Sequence, residues 1–122
     1  MDFIRVFKTL GDETRLRIVN ILLQGKTPLC VCEMTDVLEL PQYHISRHLM
    51  ILKTSGLVEP KRDGTWIYYH ISPETSKCVD DLLDVIQKHF KQQFPDDVKR
   101  LKKRLAKREK GKCVIGFAQN AG

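Results

Sequence analysis

Apolar side chains recur at helical spacing in the first quarter of the chain. Four of them share one face of a short first helix: Phe3, Val6, Phe7 and Leu10. Gly11 interrupts this pattern, and Asp12 is a suitable N-cap for a second helix. The apolar positions of that second helix recur every three or four residues until Gly25 offers a stop. The chain is therefore predicted to begin with two amphipathic helices.

The next apolar positions predict a helix-turn-helix. A third helix is expected over about 31–39, and only Leu40 separates it from Pro41. Proline is favoured at the first position of a helix because its missing N–H would be unpaired there anyway, so a fourth helix is predicted to begin at Pro41. Its buried stripe consists of Ile45, Leu49 and Leu52. Gly56 is its expected C-terminal cap.

Two short segments after the fourth helix have the composition of β-strands. They cover 57–59 and 66–71, and the Asp63-Gly64 pair between them is typical of a hairpin turn. Pro60 limits the first strand to a sheet edge or a bulge, because proline cannot donate a hydrogen bond to a neighbouring strand. A helix-turn-helix followed by a hairpin predicts a winged helix-turn-helix.

Two further helices are predicted after the hairpin. Ser72 and Pro73 suit the N-cap and first position of a fifth helix, in which Cys78 is expected to pack on the apolar side. A proline interrupts this helix, and a sixth, basic helix follows. We therefore expect a mainly α-helical fold with a β-hairpin wing. Residues 1–94 would form the winged helix-turn-helix for DNA binding and dimerisation, and residues 95–122 a basic C-terminal helix and cysteine-containing tail.

Charge is distributed unevenly along the 122 residues, whose formal net charge is +6. Residues 91–122 hold ten Lys or Arg and three acids, which gives +7, so the first ninety residues hold 21 − 10 = 11 bases and 15 − 3 = 12 acids, which gives −1. The basic tail either steers the protein towards DNA or keeps the sixth helix solvated. The start of the chain lacks a secretion-signal pattern, and no apolar run reaches the roughly 18 to 20 residues of a membrane span. We expect a cytoplasmic protein without membrane contact.

The fourth helix carries side chains that can recognise DNA. Stepping about 100° per residue from the buried Ile45 turns Tyr43 and Arg47 away from the core. The residues expected at base edges in the major groove are Gln42, Tyr43, His44, Ser46 and Arg47. Lys61 and Arg62 at the hairpin tip are expected to contact phosphate or the minor groove. A merely solvated helix face is the alternative, but these features occur together in the order that DNA binding requires.

Five segments in combination resemble the ArsR/SmtB family of metal-responsive repressors. They are Leu-Gly-Asp-Glu-Thr-Arg-Leu-Arg-Ile (10–18), Leu-Cys-Val-Cys-Glu-Met (29–34), Gln-Tyr-His-Ile-Ser-Arg-His-Leu-Met-Ile-Leu (42–52), Ser-Gly-Leu-Val (55–58) and Arg-Asp-Gly-Thr-Trp-Ile-Tyr-Tyr (62–69). The resemblance covers about residues 3–90. It implies a homodimeric winged-helix repressor that leaves an operator palindrome when an inducer binds. It also implies that Lys61 to Thr65 form the wing and that the first and fifth helices form the dimer interface.

Cys30 and Cys32 are the clearest chemical signal in the sequence, because thiolates select soft ions. Residues i and i+2 of one regular helix point about 200° apart and cannot hold a single ion. Either the third helix is non-helical at its start, or ligation unwinds it and thereby moves the fourth helix. The unpaired N–H groups of that turn are expected to lower the thiol pKa. The alternative is that both cysteines are small apolar core residues.

The segment 29–34 is similar to the arsenical-binding motif of arsenic-responsive family members. Well-known members have a third thiol three residues after the second cysteine, where this chain has Thr35. A third sulfur must come from Cys78, Cys113 or another subunit. Cys113 is favoured because it belongs to no periodic pattern and lies in a tail that is expected to be flexible enough to reach the other two cysteines. Three thiolates suffice for As(III) or Sb(III), whereas structural zinc needs four ligands. Other members bind zinc or cobalt through a carboxylate and histidines on the fifth helix. At the start of that helix this chain has Pro73 and Thr75, so a histidine-rich zinc site is not expected.

The sequence therefore predicts an arsenite-responsive transcriptional repressor without enzymatic activity. Its inducer would be As(III) or Sb(III), with no organic cofactor, and its partners would be double-stranded operator DNA and a second copy of the chain. Cadmium, lead or thiol oxidation are alternative inputs at the same cysteines. A thiol oxidoreductase is a weaker alternative because no βαβ pattern accompanies the cysteine pair. The third alternative is a winged-helix module that binds protein partners instead of DNA. Loss of salt-dependent DNA affinity in an Arg47→Ala, Lys61→Ala variant would argue against it.

Overall fold

A computed structural model of the chain describes residues 2–117, which form six helices and a small three-stranded sheet. In chain order the elements are α1 (Phe3–Leu10), α2 (Glu13–Gly25), β1 (Leu29–Cys30), α3 (Val31–Leu38), α4 (Gln42–Thr54), β2 (Val58–Asp63), β3 (Trp66–Ile71), α5 (Lys77–His89) and α6 (Pro95–Leu105). This order confirms the predicted winged helix-turn-helix and the additional C-terminal helix. Within the described residues, no helix is long and apolar enough to cross a bilayer.

The sheet has three antiparallel strands in the order β1-β3-β2. The hairpin β2–β3, which we call the wing, pairs residues from Val58 opposite Ile71 to Asp63 opposite Trp66. Its two-residue connection begins at Gly64, whose φ of +63° is favourable for glycine and typical of hairpin turns. Strand β2 is longer than the predicted segment 57–59. It runs through a proline because it lies at the sheet edge, where a missing N–H costs no ladder hydrogen bond.

Strand β1 was not predicted from the sequence, since two residues are too few for a periodic signal. It pairs Leu29 with Tyr69 and Cys30 with Tyr68 on β3. Because α3 begins at the next residue, this short strand connects the start of the helix-turn-helix directly to the wing.

The core is shared by the helices of the N-terminal half and by α6. Ile18, Leu38 and Leu52 are among its fully buried side chains, and Leu101 of α6 packs with them. Gly25, at the end of α2, lies beside Leu101, and a Cβ there would stand 3.4 Å from its side chain. The basic C-terminal helix is therefore packed on the hydrophobic core. The boundary placed between residues 94 and 95 stays a prediction.

Two predicted helix starts need correction. Helix α4 begins at Gln42 and not at Pro41, which is the N-cap and accepts hydrogen bonds through its carbonyl. Helix α5 begins at Lys77 with Ser76 as N-cap, and not at Ser72–Pro73. Ser72 instead closes the end of the wing: its N–H donates to the Leu57 carbonyl and its hydroxyl donates to the Glu59 carboxylate.

The later start of α5 changes which of its residues are buried. The buried side chains of this helix are Val79, Leu83 and Ile86. Cys78 and Val85 are exposed in the single chain, so the prediction that Cys78 packs on the apolar side is wrong.

Candidate three-sulfur site and nucleic-acid interface

Three cysteine sulfurs converge where β1, α3 and the C-terminal segment (residues 106–117) meet. The Sγ–Sγ distances are 2.9 Å for Cys30–Cys32, 3.4 Å for Cys30–Cys113 and 3.8 Å for Cys32–Cys113. Each cysteine is only 2% exposed. Metal–thiolate bonds are about 2.3 Å long, so three sulfurs in a plane around one centre stand roughly 4 Å apart. The three-sulfur cluster is thus already compact enough to surround one ion.

The backbone at Cys30 explains how residues i and i+2 reach the same point. Cys30 ends β1 and is the N-cap of α3, with an extended backbone at φ −88° and ψ 163°. Cys32 lies in the first helical turn. Because Cys30 is outside the helix, the 200° separation expected within a regular helix does not arise. Of the two alternatives left by the sequence, the non-helical start is the observed one, and unwinding of α3 is not needed to bring the sulfurs together.

Cys113 is held against the other two sulfurs by contacts on both of its sides. Its backbone N–H donates to the Tyr68 hydroxyl at 3.0 Å, and Tyr68 is the residue paired with Cys30 across the sheet. Arg104, which is 3% exposed, donates to the carbonyls of Ile115 at 2.6 Å and Gly116 at 3.1 Å. The C-terminal segment, expected to be flexible, is therefore fastened to α6 and to the wing.

A buried ion pair stands directly behind the cluster. The Glu33 side chain is fully buried, and its carboxylate accepts two hydrogen bonds from Arg108, each at 2.7 Å. Glu33 Oε1 also accepts from the Cys30 N–H at 3.1 Å and from the Cys30 thiol at 3.3 Å. Arg108 donates further to the Pro28 carbonyl at 2.7 Å and lies over the Tyr68 ring. The pair joins the C-terminal segment to the start of α3.

These surroundings set the protonation states of the site. Burial opposes ionisation of Glu33, but the hydrogen bonds and charge of Arg108 outweigh it and lower the pKa of the carboxyl. The hydrogen bond with the Cys32 thiol and burial raise the pKa of Cys30, and burial raises the pKa of Cys113. The expected lowering by the helix N-terminus is therefore wrong for Cys30, whose own N–H is directed to Glu33. The raised pKa values favour the thiol forms of Cys30 and Cys113 at neutral pH.

The remaining candidate ligands lie elsewhere. Thr35, at the position of the family's third thiol, donates its hydroxyl to the Cys32 carbonyl at 2.8 Å. Cys78 is exposed on α5 and does not belong to the cluster. Between residues 2 and 117, no histidine or carboxylate joins the three sulfurs in a ligand group. The donor set is three sulfurs, which suits a trivalent centre and lacks the fourth ligand of structural zinc.

Three residues that shape this site were not identified from the sequence: Glu33, Arg104 and Arg108. Two signals were available. Glu33 follows the N-cap by three residues, the spacing of a capping box. Arginines recur every fourth residue at 100, 104 and 108 among lysines, and arginine is the cation preferred for bidentate buried pairs.

The predicted DNA-contacting residues lie on two exposed surfaces. On α4, the side chains of Gln42, Tyr43, Ser46 and Arg47 are exposed. His44 is half-buried, with Nε2 at 3.2 Å from the Thr14 hydroxyl. The wing residues are exposed as well: Lys61, Arg62 and Thr65. The outward direction expected from the helical repeat is thus observed.

Comparison with known proteins gives a consistent set of relatives. The family model described as "Bacterial regulatory protein, arsR family" matches residues 12–60. The Arsenic resistance transcriptional regulator ArsR2 of Pseudomonas putida is 40% identical over 97 residues, which cover 80% of this chain and 84% of that protein. ArsR1 of the same organism is 46% identical over 78 residues, which cover 64% of this chain. That alignment spans 60% of ArsR1, which is less than two thirds of its length.

Solved structures agree with the fold. The solution structure of the homodimeric winged helix-turn-helix DNA-binding domain Mb0332 from Mycobacterium bovis, described as a possible ArsR-family transcriptional regulator, is 29% identical and superposes with a TM-score of 0.59. The match covers 74% of this chain and 82% of Mb0332.

Proposed function

The chain belongs to the ArsR family of bacterial transcriptional regulators, and from this we propose that it is a homodimeric repressor whose operator DNA is released when As(III) binds Cys30, Cys32 and Cys113. The observation that carries the proposal is the meeting of three buried sulfurs from distant parts of the chain. Sb(III) has the same valence and also prefers soft thiolate ligands, so it is the second expected inducer.

The thiol form that is favoured for Cys30 and Cys113 suits this ligand exchange. Arsenous acid, As(OH)3, reacts with three thiols to give a tris-thiolate centre and three water molecules. Each thiol proton leaves with one hydroxyl group of the arsenous acid, so no external base is needed. The raised pKa values of Cys30 and Cys113 therefore do not oppose binding of this inducer.

Charge balance favours a trivalent centre over a divalent one. Three thiolates around As(III) have no net charge, whereas three thiolates around Cd(II) or Pb(II) carry −1. Among residues 2–117, the two buried arginines near the cluster are already paired, Arg108 with Glu33 and Arg104 with Asp36, so neither is free to compensate that charge. An uncompensated charge is costly in a buried site. We therefore expect arsenite to be a stronger inducer than cadmium or lead.

The cluster has a short route to both proposed DNA-contacting surfaces. Cys30 pairs with Tyr68, and Tyr68 pairs with Lys61 in the wing. Cys32 lies on α3, which leads through the short connection 39–41 into α4. Shifts of β1 and the C-terminal segment on ligation would thus move the wing relative to α4. A coupling of about 1 to 3 kcal/mol is ordinary for such switches and does not require a helix to unwind.

Arsenite-dependent release of DNA tests the proposal. A fluorescent operator duplex is first selected by the arsenite-free protein from a random pool, and its complex is titrated with arsenite while anisotropy is recorded. We expect release by arsenite. Release by cadmium and not by arsenite would contradict arsenite as the inducer but leave the repressor function intact. Failure to select any duplex would contradict DNA binding itself.

Arg47→Ala is expected to weaken operator binding by about 1 to 3 kcal/mol, because this exposed guanidinium on α4 is proposed to pair with a base in the major groove. Lys53→Ala, which removes the same charge from the last turn of the same helix, is the matched control. Anisotropy titrations of both variants measure the effect. Equal affinities for the two would remove Arg47 from the interface.

Large apolar side chains on α1 and α5 support the proposed dimer. Phe3, Ile4 and Phe7 on α1 are 45%, 69% and 60% exposed, and Val85 on α5 is 48% exposed. Several large apolar side chains exposed on one helix, as on α1, are typical of a surface that pairs with another protein. Helices α1 and α5 are therefore proposed to pair with a second copy of the chain.

Phe7→Glu is expected to convert the dimer to a monomer, because it places a charge within the apolar surface of α1. The control is Met50→Glu, since Met50 on α4 is also 60% exposed but lies outside this surface. Sedimentation equilibrium distinguishes the two species. A Phe7→Glu protein that sediments as wild type would refute the proposed interface.

A further inference from the structure

We propose that the turn formed by residues 109–112 contacts operator DNA beside the wing, so that the phosphate backbone of the duplex is bound by the C-terminal segment as well as by the hairpin. This inference rests on the proposed function and extends its DNA-contacting surface to a part of the chain outside the helix-turn-helix.

The turn formed by residues 109–112 is closed by backbone hydrogen bonds. Glu109 and Lys112 exchange two backbone hydrogen bonds, each 2.9 Å long, around Lys110 and Gly111. Both central residues have positive φ, +52° and +74°, as in the primed turns of tight hairpins. Buried residues flank the turn on both sides, with Arg108 before it and Cys113 after it. The turn therefore presents its lysines from a fixed position.

A basic cleft of about 480 Å³ separates this turn from the wing. Five cationic residues line it: Lys61, Arg62, Arg108, Lys110 and Lys112. The acidic residue of the lining is Asp63, and Lys112 Nζ lies 3.4 Å from its carboxylate. Glu33 neutralises Arg108 from behind.

Three cations of the basic cleft remain without an acidic partner among residues 2–117: Lys61, Arg62 and Lys110. Their mutual repulsion is relieved by an anion that spans the cleft. Duplex DNA carries one charge per roughly 1.7 Å of its axis, so it can meet several of these cations at once, which a single small anion cannot.

The position of the basic cleft favours DNA as this anion. Two of its lining residues, Lys61 and Arg62, belong to the wing that is already proposed to contact phosphate. Lys112 bridges from the turn to Asp63 at the end of β2, so the turn and the wing form one continuous surface. A duplex seated on the hairpin tip therefore passes the turn.

The dependence of operator affinity on salt concentration tests this inference. Lys110→Asn removes the charge and keeps a residue that tolerates positive φ, so the turn is retained. Each lost phosphate contact makes the negative slope of log K against log salt less steep by about 0.9, and a dimer presents two copies, so we expect the magnitude of the slope to fall by roughly 1.8. Lys103→Gln removes an equal charge from an exposed site on α6 and is expected to leave the slope unchanged.

A slope for Lys110→Asn equal to that of Lys103→Gln would overturn the inference. Arg47→Ala in the same series separates the two failures: if Arg47→Ala weakens binding and Lys110→Asn does not, the turn is outside the interface while DNA binding stands. Amide signals of Gly111 provide a second arm. Shifts on addition of operator duplex support the inference, whereas shifts with inorganic phosphate but not with duplex would assign the basic cleft to free phosphate and overturn it.

Discussion

Cys113→Ser is expected to raise the arsenite concentration needed for operator release by roughly 100-fold or more, while operator affinity without arsenite stays near the wild-type value. The Cys113 sulfur lies 3.4 Å and 3.8 Å from the other two, and replacing it with a hard oxygen donor removes one of the three soft ligands. Loss of an outer-shell partner of a metal site costs about 10- to 100-fold in affinity, and loss of a direct ligand costs at least as much.

A series of single cysteine variants shows which of the four cysteines contribute to the arsenite response. Cys30→Ser and Cys32→Ser are expected to raise the required arsenite concentration at least as much as Cys113→Ser does. Cys78→Ser, which replaces a thiol on α5 outside the cluster with a hydroxyl of similar size, is the matched control and should respond as wild type. Anisotropy of the operator complex during arsenite titration measures each response, with circular dichroism to check folding. If Cys113→Ser released the operator at the wild-type arsenite concentration, the site would contain only two sulfurs. If Cys78→Ser no longer released the operator, Cys78 would be a ligand and the proposed site would be wrong.

Arg108→Met is expected to destabilise the fold by about 3 to 5 kcal/mol, because it leaves the fully buried carboxylate of Glu33 without its cation. Both carboxylate oxygens lose a 2.7 Å hydrogen bond from the guanidinium. The double variant Arg108→Met, Glu33→Gln is expected to recover most of this stability, since neither charge then remains and the Gln carbonyl still accepts from the Cys30 N–H. Lys107→Met, at an exposed neighbouring position, should stay within about 0.5 kcal/mol of wild type.

Urea denaturation at neutral pH measures these differences, and its pH dependence gives a second check. The folded pKa of Glu33 lies below the ordinary value of 4.5, so the stabilisation from its ion pair is present above that value and is lost as pH falls through the lowered pKa. The double variant should lack this acid-dependent loss. An Arg108→Met protein that unfolds at the same urea concentration as Lys107→Met would contradict the importance of the pair.

Elements with strong local signals were predictable from the sequence. The Asp12 side chain accepts from the Arg15 N–H as an N-cap should, and the apolar repeat of α4 buries Ile45 and Leu49. The hairpin follows from its Asp-Gly pair. These features depend on residues a few positions apart, so the pattern along the chain contains the information that specifies them.

The features that escaped prediction depend on tertiary contacts. Strand β1 exists because β3 supplies a partner, and its two residues have no pattern of their own. The start of α5 depends on Ser72 being engaged by the wing. Arg108 and Glu33 lie 75 residues apart, so no pattern of neighbouring residues could predict their pairing. Cys113 was a candidate on chemistry alone, and its place beside Cys30 follows only from how α6 and the wing hold the C-terminal segment.

Under the proposed function, the family motif is completed from elsewhere in the chain. With Thr35 in place of a nearby third thiol, the third sulfur comes from a residue more than 80 positions from Cys30 and Cys32. Such a site couples the C-terminal segment to the helix-turn-helix. Under the proposed function, ligation therefore acts on three elements at once: β1, α3 and the segment that borders the wing.

X-ray absorption at the arsenic edge, recorded on the wild-type protein loaded with one equivalent of arsenite per chain, counts the ligands directly. Three sulfur neighbours and no oxygen are expected, with the same count for Cys78→Ser and two sulfurs for Cys113→Ser. A wild-type spectrum with two sulfurs and one oxygen would contradict the three-sulfur centre.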